Sequence, residues 1–123
     1  MMHPAALSDE DLLAQCRIER VRTRGPGGQH RNKVETGAII THEPSGVRAE
    51  ATERRSLGEN TAVAVRRLRL ELAMEVRLPV PIGDARSDLW KARCRGGRIV
   101  CSPRHHDFPV LLAEALDMIE ACR

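Results

Sequence analysis

The chain has 123 residues, 41% hydrophobic and 30% charged, which fits one soluble globular domain with at most a small appendage. That balance excludes a disordered tail. No window has the length and apolarity of a membrane span, and residues 1–7 lack the basic start and apolar run of a secretion signal.

Charge is unevenly placed within the net +3. Residues 17–78 hold 13 Lys and Arg against 8 Asp and Glu, a net of +5, and the remainder holds 7 against 9, a net of −2. A basic segment of this kind points to an anionic partner. Trp90 and Phe108 are the only aromatic residues, so the core must be aliphatic. Any nucleic-acid contact must then rest on phosphates and backbone, not on stacked bases. Cys16, Cys94, Cys101 and Cys122 fit no small disulfide scaffold and read as reduced thiols of a cytoplasmic protein.

In chain order, Ser8 caps a short helix whose first turn is Asp9-Glu10-Asp11. Leu7 and Leu12 stand where a hydrophobic staple would, and the helix ends near Gln15. Residues 16–22 read as a strand, but Ile18 and Val21 are out of phase, which predicts a bulge or an edge position with arginines outward. Next comes Gly25-Pro26-Gly27-Gly28-Gln29-His30. Three glycines and a proline in four residues cannot continue a helix or a central strand, so an exposed loop is expected whose backbone can approach another molecule closely. Arginine or lysine surrounds it at Arg22, Arg24, Arg31 and Lys33. Residues 30–36 suit a helical turn that Gly37 would end.

Residues 38–43 and 47–52 predict an antiparallel hairpin across the turn Pro44-Ser45-Gly46, with Val47, Ala49 and Ala51 on one face. Glu53-Arg54-Arg55 leads into Ser56-Leu57-Gly58-Glu59, a capping box for the longest helix, residues 57–78. Its apolar stripe is Val65, Leu68, Leu72 and Val76. Arg66, Arg69 and Arg77 lie on a neighbouring stripe, for which a solvated face and an RNA-facing role are equally good readings. Pro79, Pro81 and Gly83 mark a linker, and residues 89–101 hold one or two short strands around Gly96-Gly97. Asp107 would cap a last helix to about residue 121, with Leu112, Leu116 and Ile119 on one side.

The expected fold is α+β: a small mixed or antiparallel sheet packed on one long helix, with a projecting glycine-rich loop and a short C-terminal helical appendage. Residues 1–78 would form the main domain, and residues 79–123 the linker and appendage packed on it.

Nucleotide-binding readings of the loop fail. A P-loop needs Gly-Lys-Ser/Thr where Gly28 is followed by Gln29-His30, and a dinucleotide fingerprint needs glycine where His30 stands. Cys94, Cys101, His105 and His106 do not follow a common structural-zinc spacing, and buried thiols beside a helix-capping loop account for them better. Neither a metal nor a cofactor is expected.

The run Arg22-Thr23-Arg24-Gly25-Pro26-Gly27-Gly28-Gln29-His30-Arg31-Asn32-Lys33 closely resembles the peptidyl-tRNA hydrolase motif of class I peptide chain release factors and short ribosome-rescue hydrolases. The resemblance continues through Thr36, Thr41-His42, Pro44-Ser45-Gly46 and Glu53 to Asn60, covering about half the chain. Arg31 departs from the valine or isoleucine usual in that family.

The resemblance implies hydrolysis of the ester joining a nascent peptide to the terminal ribose of tRNA. Such a reaction needs a placed water and stabilisation of the developing oxyanion or leaving hydroxyl. Gly27 and Gly28 would let the backbone enter a crowded RNA centre. Gln29 would bring its backbone N–H to the reacting atoms and help orient water. RNA contacts would come from Arg22, Arg24, Gly25, Pro26, His30, Arg31, Asn32, Lys33, Arg54 and Arg55, with His30 positional rather than a base. The implied partners are the rRNA of the large ribosomal subunit, peptidyl-tRNA, and a glutamine methyltransferase modifying Gln29; no DNA or membrane partner is implied.

Full-length release factors carry codon-reading domains that 123 residues do not accommodate, so codon-specific termination is not expected. The short rescue hydrolases carry a Lys/Arg-rich tail, whereas residues 107–123 hold four acidic residues and one arginine, a net of −3. The leading expectation is codon-independent release. Its rival is a non-catalytic ribosome- or RNA-binding module that kept the loop, and a third reading places the hydrolysis on split large subunits.

Overall fold

The computed structural model describes residues 2–22, 35–80 and 86–122. A 3-10 turn, Pro4–Ala6, leads into helix α1, Asp9–Ala14, where Ser8 Oγ accepts the Asp11 N–H at 3.2 Å. Leu12 is fully buried and Leu7 packs against the same core, as the staple requires.

Three antiparallel strands follow in the order β1, β2, β3: Cys16–Val21, Gly37–His42 and Arg48–Ala51. β1 is an edge strand, paired residue for residue from Cys16↔His42 to Val21↔Gly37, so its broken alternation comes from edge exposure and not from a bulge. Ile18 stands 45% exposed there. Gly37 does not end a helical turn but opens β2. A Cβ at this position would sit 2.8 Å from Val21 Cγ2 and 2.9 Å from Val21 O, so glycine is what lets the strands close up. The part of the expected helical turn at 30–34 lies outside the described residues. Between β2 and β3, Gly46 takes φ 76 and donates to His42 O at 2.7 Å, and Ala49 and Ala51 face inward as the alternation demands.

Helix α2, Leu57–Glu75, covers the sheet. Ser56 caps it through the Glu59 N–H at 3.1 Å, and Ala64, Val65, Leu68, Leu72 and Ala73 bury against Ile40 and Ala51 in one core. The helix stops three residues short of the expected 78, because Val76 is already extended and serves as C-cap. Here His3 reaches across: its Nδ1 accepts the Ala5 N–H at 3.0 Å, so Nε2 holds the proton and donates to Val76 O at 2.9 Å.

Residues 88–93 form a short helix, α3 (Asp88–Arg93), ahead of the two short strands expected around Gly96-Gly97. Ser87 Oγ caps it by accepting the Trp90 N–H at 3.0 Å, and the Ser87 N–H donates to Glu114 at 3.0 Å. The strands at Gly96-Gly97 are a two-residue hairpin, β4 (Cys94–Arg95) and β5 (Arg98–Ile99). Both glycines have positive φ, 56 and 78, as a tight hairpin turn of this kind needs.

Helix α4, Phe108–Ala121, packs on α2 and on the 3-10 turn. Its inward residues are Pro109, Leu111, Ala113 and Asp117, while Ile119 of the expected apolar side is 61% exposed. Asp107 precedes the helix without capping it. Its carboxylate turns to Arg93 instead, at 2.7 Å, and that hydrogen bond holds its pKa below the usual value. No helix among the described residues is long and apolar enough to cross a membrane.

Candidate functional site at the loop end of the sheet

The last rung of the β1–β2 ladder is Val21↔Gly37, so the chain leaves the sheet at Arg22 and returns through Glu35 and Thr36 at one end. Arg24, Gly25, Pro26, Gly27, Gly28, Gln29, His30, Arg31, Asn32 and Lys33 belong to the connection and lie outside the described residues. The structure therefore describes the base of the loop, with three of the expected RNA contacts: Arg22, Arg54 and Arg55.

All three are exposed, and none makes a side-chain hydrogen bond or ion pair among the described residues. The backbone at Arg54 is tied to the returning limb of the connection by Asn60, near the start of α2, which is fully buried. Its Nδ2 donates to Thr36 O at 2.6 Å and to Arg54 O at 3.0 Å, and its Oδ1 accepts the Arg54 N–H at 2.9 Å. One amide thus ties the returning limb of the loop to the segment carrying Arg54 and Arg55 and to the rigid N-terminal turn of α2. A buried amide with its donors and acceptor all used is a stiff connector, since breaking any bond strands a polar group away from water.

Asn60 was quoted within the sequence resemblance but given no role. A readable signal was present: a polar residue one turn into an amphipathic helix, on the side of Ala64 and Leu68 at i+4 and i+8.

Glu53 and Arg67 brace the same segment. Arg67 donates to Glu50 O at 2.9 Å and to Glu53 Oε1 at 3.1 Å, with a second contact to Glu53 Oε2. The Arg67 hydrogen bond pulls the Glu53 carboxyl down to about 2. The pair is half exposed, so it directs the chain more than it stabilises the fold.

The three arginines of the expected stripe, two on α2 and Arg77 just beyond its end, divide. Arg69 donates to Ala5 O at 2.9 Å and Leu7 O at 2.6 Å and pairs with Asp9 at 2.6 Å. Arg77 pairs with the buried Asp117 at 3.0 Å, binding α2 to α4. For these two, neither a solvated face nor an RNA-facing role holds, because their charge is spent inside the fold. Arg66 alone of the three is exposed and makes no described contact.

The histidines and cysteines whose spacing argues against zinc do not gather in one place either. His105, His106 and Asp107 place ligand atoms within 4.8 Å of one another, without Cys94 or Cys101. Asp107 there already holds the Arg93 guanidinium, a cation that competes with any metal. All four cysteines are free thiols, and burial, with Glu43 nearby, pushes the Cys16 pKa up.

A three-stranded antiparallel sheet backed by a long helix, with an arginine-flanked glycine segment between its first two strands in the sequence, defines a class of small α+β domain. The sequence comparisons place the chain within it more closely. Residues 10–93 match the RF-1 domain, and the chain belongs to that family. It is 36% identical over 103 residues to peptide chain release factor 1 of Rhodospirillum rubrum, a match covering 84% of this chain and 27% of that protein. It is 40% identical over 72 residues to peptide chain release factor 1 of Acidiphilium cryptum, covering 58% of this chain and 20% of that protein. The chain thus spans about a quarter of the length of the curated relatives it matches.

Proposed function

We propose that this protein hydrolyses the ester of peptidyl-tRNA on the large ribosomal subunit, without reading a codon, in the cytoplasm. The single observation that carries this reading is an intact Gly27-Gly28-Gln29 within a stretch, residues 10–93, that matches the RF-1 domain throughout. Gly27 and Gly28 allow close backbone approach, and the Gln29 backbone N–H stabilises the developing charge while its side chain orients water. Arg22, Arg24, Arg31, Lys33, Arg54 and Arg55 hold phosphates, and Gly25, Pro26, His30 and Asn32 shape the contact. Gln29 is the side chain a glutamine methyltransferase would modify. The root described above, with Asn60 binding Thr36 and Arg54, supports the reading by giving the loop a stiff base.

The test is peptide release from ribosomes holding P-site peptidyl-tRNA, with a stop codon, a sense codon or no codon in the decoding site, and from split large subunits. Wild-type protein should release peptide irrespective of the codon. Gly28→Ala should lose about 100-fold in rate, the scale of holding the reacting groups about 1 Å out of place. Equal release by the two proteins would sink the proposal, and ribosome binding with no release by wild type would establish a non-catalytic RNA-binding module instead.

A further inference from the structure

The proposed chemistry uses the loop end of the sheet, and another flank of α2 carries cations that it leaves idle. A cleft of about 170 Å³ lies between α2 and the segment leading into α4. Arg66 and Arg69 line it from the helix; Arg104, His105 and His106 line it from the facing segment. Its one acidic lining residue, Asp9, is bound to Arg69, which cancels both charges. His105 accepts the Asp107 N–H at 3.0 Å and lies against Arg93, with the His106 ring centroid 4.1 Å from its own. Asp107 is taken up by Arg93 and these two rings.

What remains is Arg66 on one wall and Arg104 on the other. Both are exposed, and neither guanidinium has a hydrogen bond or ion pair among the described residues. Two uncommitted guanidinium forks facing one cleft present the donor geometry that phosphate oxygens accept. The surrounding chain agrees in sign: residues 86–106 hold six Lys and Arg against Asp88 alone, a basic block that averaging with the acidic end had hidden.

We propose that this cleft seats a backbone phosphate of RNA, held between Arg66 and Arg104. It is a second docking point, separate from the glycine loop, that orients the protein on its RNA. The proposal rests on the RNA-partner part of the proposed function, and not on the hydrolysis.

The experiment measures binding of the full chain to a short labelled RNA duplex across a salt series. It compares wild type, Arg66→Ala with Arg104→Ala, and a charge-matched control, Arg95→Ala with Arg98→Ala on the β4–β5 hairpin. The cleft pair should weaken binding about tenfold, as losing hydrogen bonds to a charged group implies. It should also lower the salt slope by about 1 to 2, and the control should change affinity less than about twofold. Neither cleft side chain is bonded to the rest of the fold among the described residues, so the unfolding midpoint should not move.

Several results would overturn the cleft: cleft variants binding like wild type, a control that loses as much, wild type failing to bind RNA, or preferential binding to anionic phosphatidylglycerol vesicles. Wild type that binds RNA through the cleft yet releases no peptide would overturn the proposed hydrolysis and leave the cleft standing.

Discussion

At the turn end of the sheet, His42 is 2% exposed and both its ring nitrogens are bonded within the fold; at the loop end, Arg22, Arg54 and Arg55 stand in solvent with no side-chain partner among the described residues. His42 Nε2 donates to Gln15 Oε1 at 2.8 Å, and Nδ1 accepts from the Ser45 hydroxyl at 2.7 Å. That hydroxyl in turn accepts the Val47 N–H at 3.3 Å. The loop end has an equally buried connector, Asn60, but its bonds hold backbone from which cations project. The same device, one buried polar side chain with all its groups satisfied, therefore serves closure at one end and presentation at the other. What separates them is the side chains the pinned backbone carries.

Four substitutions test that contrast. The largest effect belongs to Asn60→Ala, which strands Thr36 O and both backbone groups of Arg54. Chemical denaturation should show a loss of about 3 kcal/mol, and release per folded molecule should fall as well. Unchanged release per folded molecule would reduce Asn60 to a purely structural role.

Gly37→Ala comes next. The new methyl meets Val21 Cγ2 and backbone oxygen inside 3 Å, so the strands must part, at a cost of about 2 kcal/mol in the same measurement.

The third concerns pH at the turn end. Burial lowers the His42 pKa from its ordinary 6.5, so the unfolded chain binds the proton more readily than the folded one. The contribution to stability is complete above 6.5 and is lost as pH falls below it towards the folded value. Thermal midpoints of His42→Gln should lack that decline, while release per folded molecule at pH 7.5 stays at the wild-type level. A drop in release would show that the two ends are not separable.

The smallest effect is at the Glu53–Arg67 brace. Arg67→Ala should cost about 0.5 kcal/mol, because solvent screens an exposed pair. With its carboxyl at about 2 when folded against 4.5 unfolded, Glu53 supports the fold above 4.5 and loses that support as pH falls towards 2. An acid titration of unfolding should show a shallower decline in the Arg67→Ala variant.

The sheet was legible because its signals are local. Val47, Ala49 and Ala51 alternate, Pro44-Ser45-Gly46 dictates a turn, and the mixed phase at Ile18 allows a bulge or an edge, of which the structure has the edge. Ser8 and Ser56 caps were read for the same reason, since a cap needs only its own next three residues. Gly37 was misassigned because a glycine reads equally well as a helix end and as a close strand contact. Only Val21 and Thr52, brought from elsewhere in the chain, decide between them. Asp107 looked like a cap until Arg93, fourteen residues earlier, folded against it. The inward side of α4 was missed because Asp117, a charge, faces inward while Ile119 faces out.

By itself, the sequence determined the chemistry on offer: a glycine-rich segment ending in Gln29 inside a basic collar, in a chain of the RF-1 domain family. Those features depend on residue type and spacing along the chain, and no distant contact is needed to see them. The tertiary structure alone decided which arginines are spent and which are available. Arg69 and Arg77 find carbonyls and carboxylates more than 35 residues away and become part of the core's polar seams. Arg66, one turn or less from Arg69 on the same helix, meets no acceptor among the described residues and stays exposed. A charge is free or committed according to what folding brings within hydrogen-bond reach, and that is a property of the packed chain.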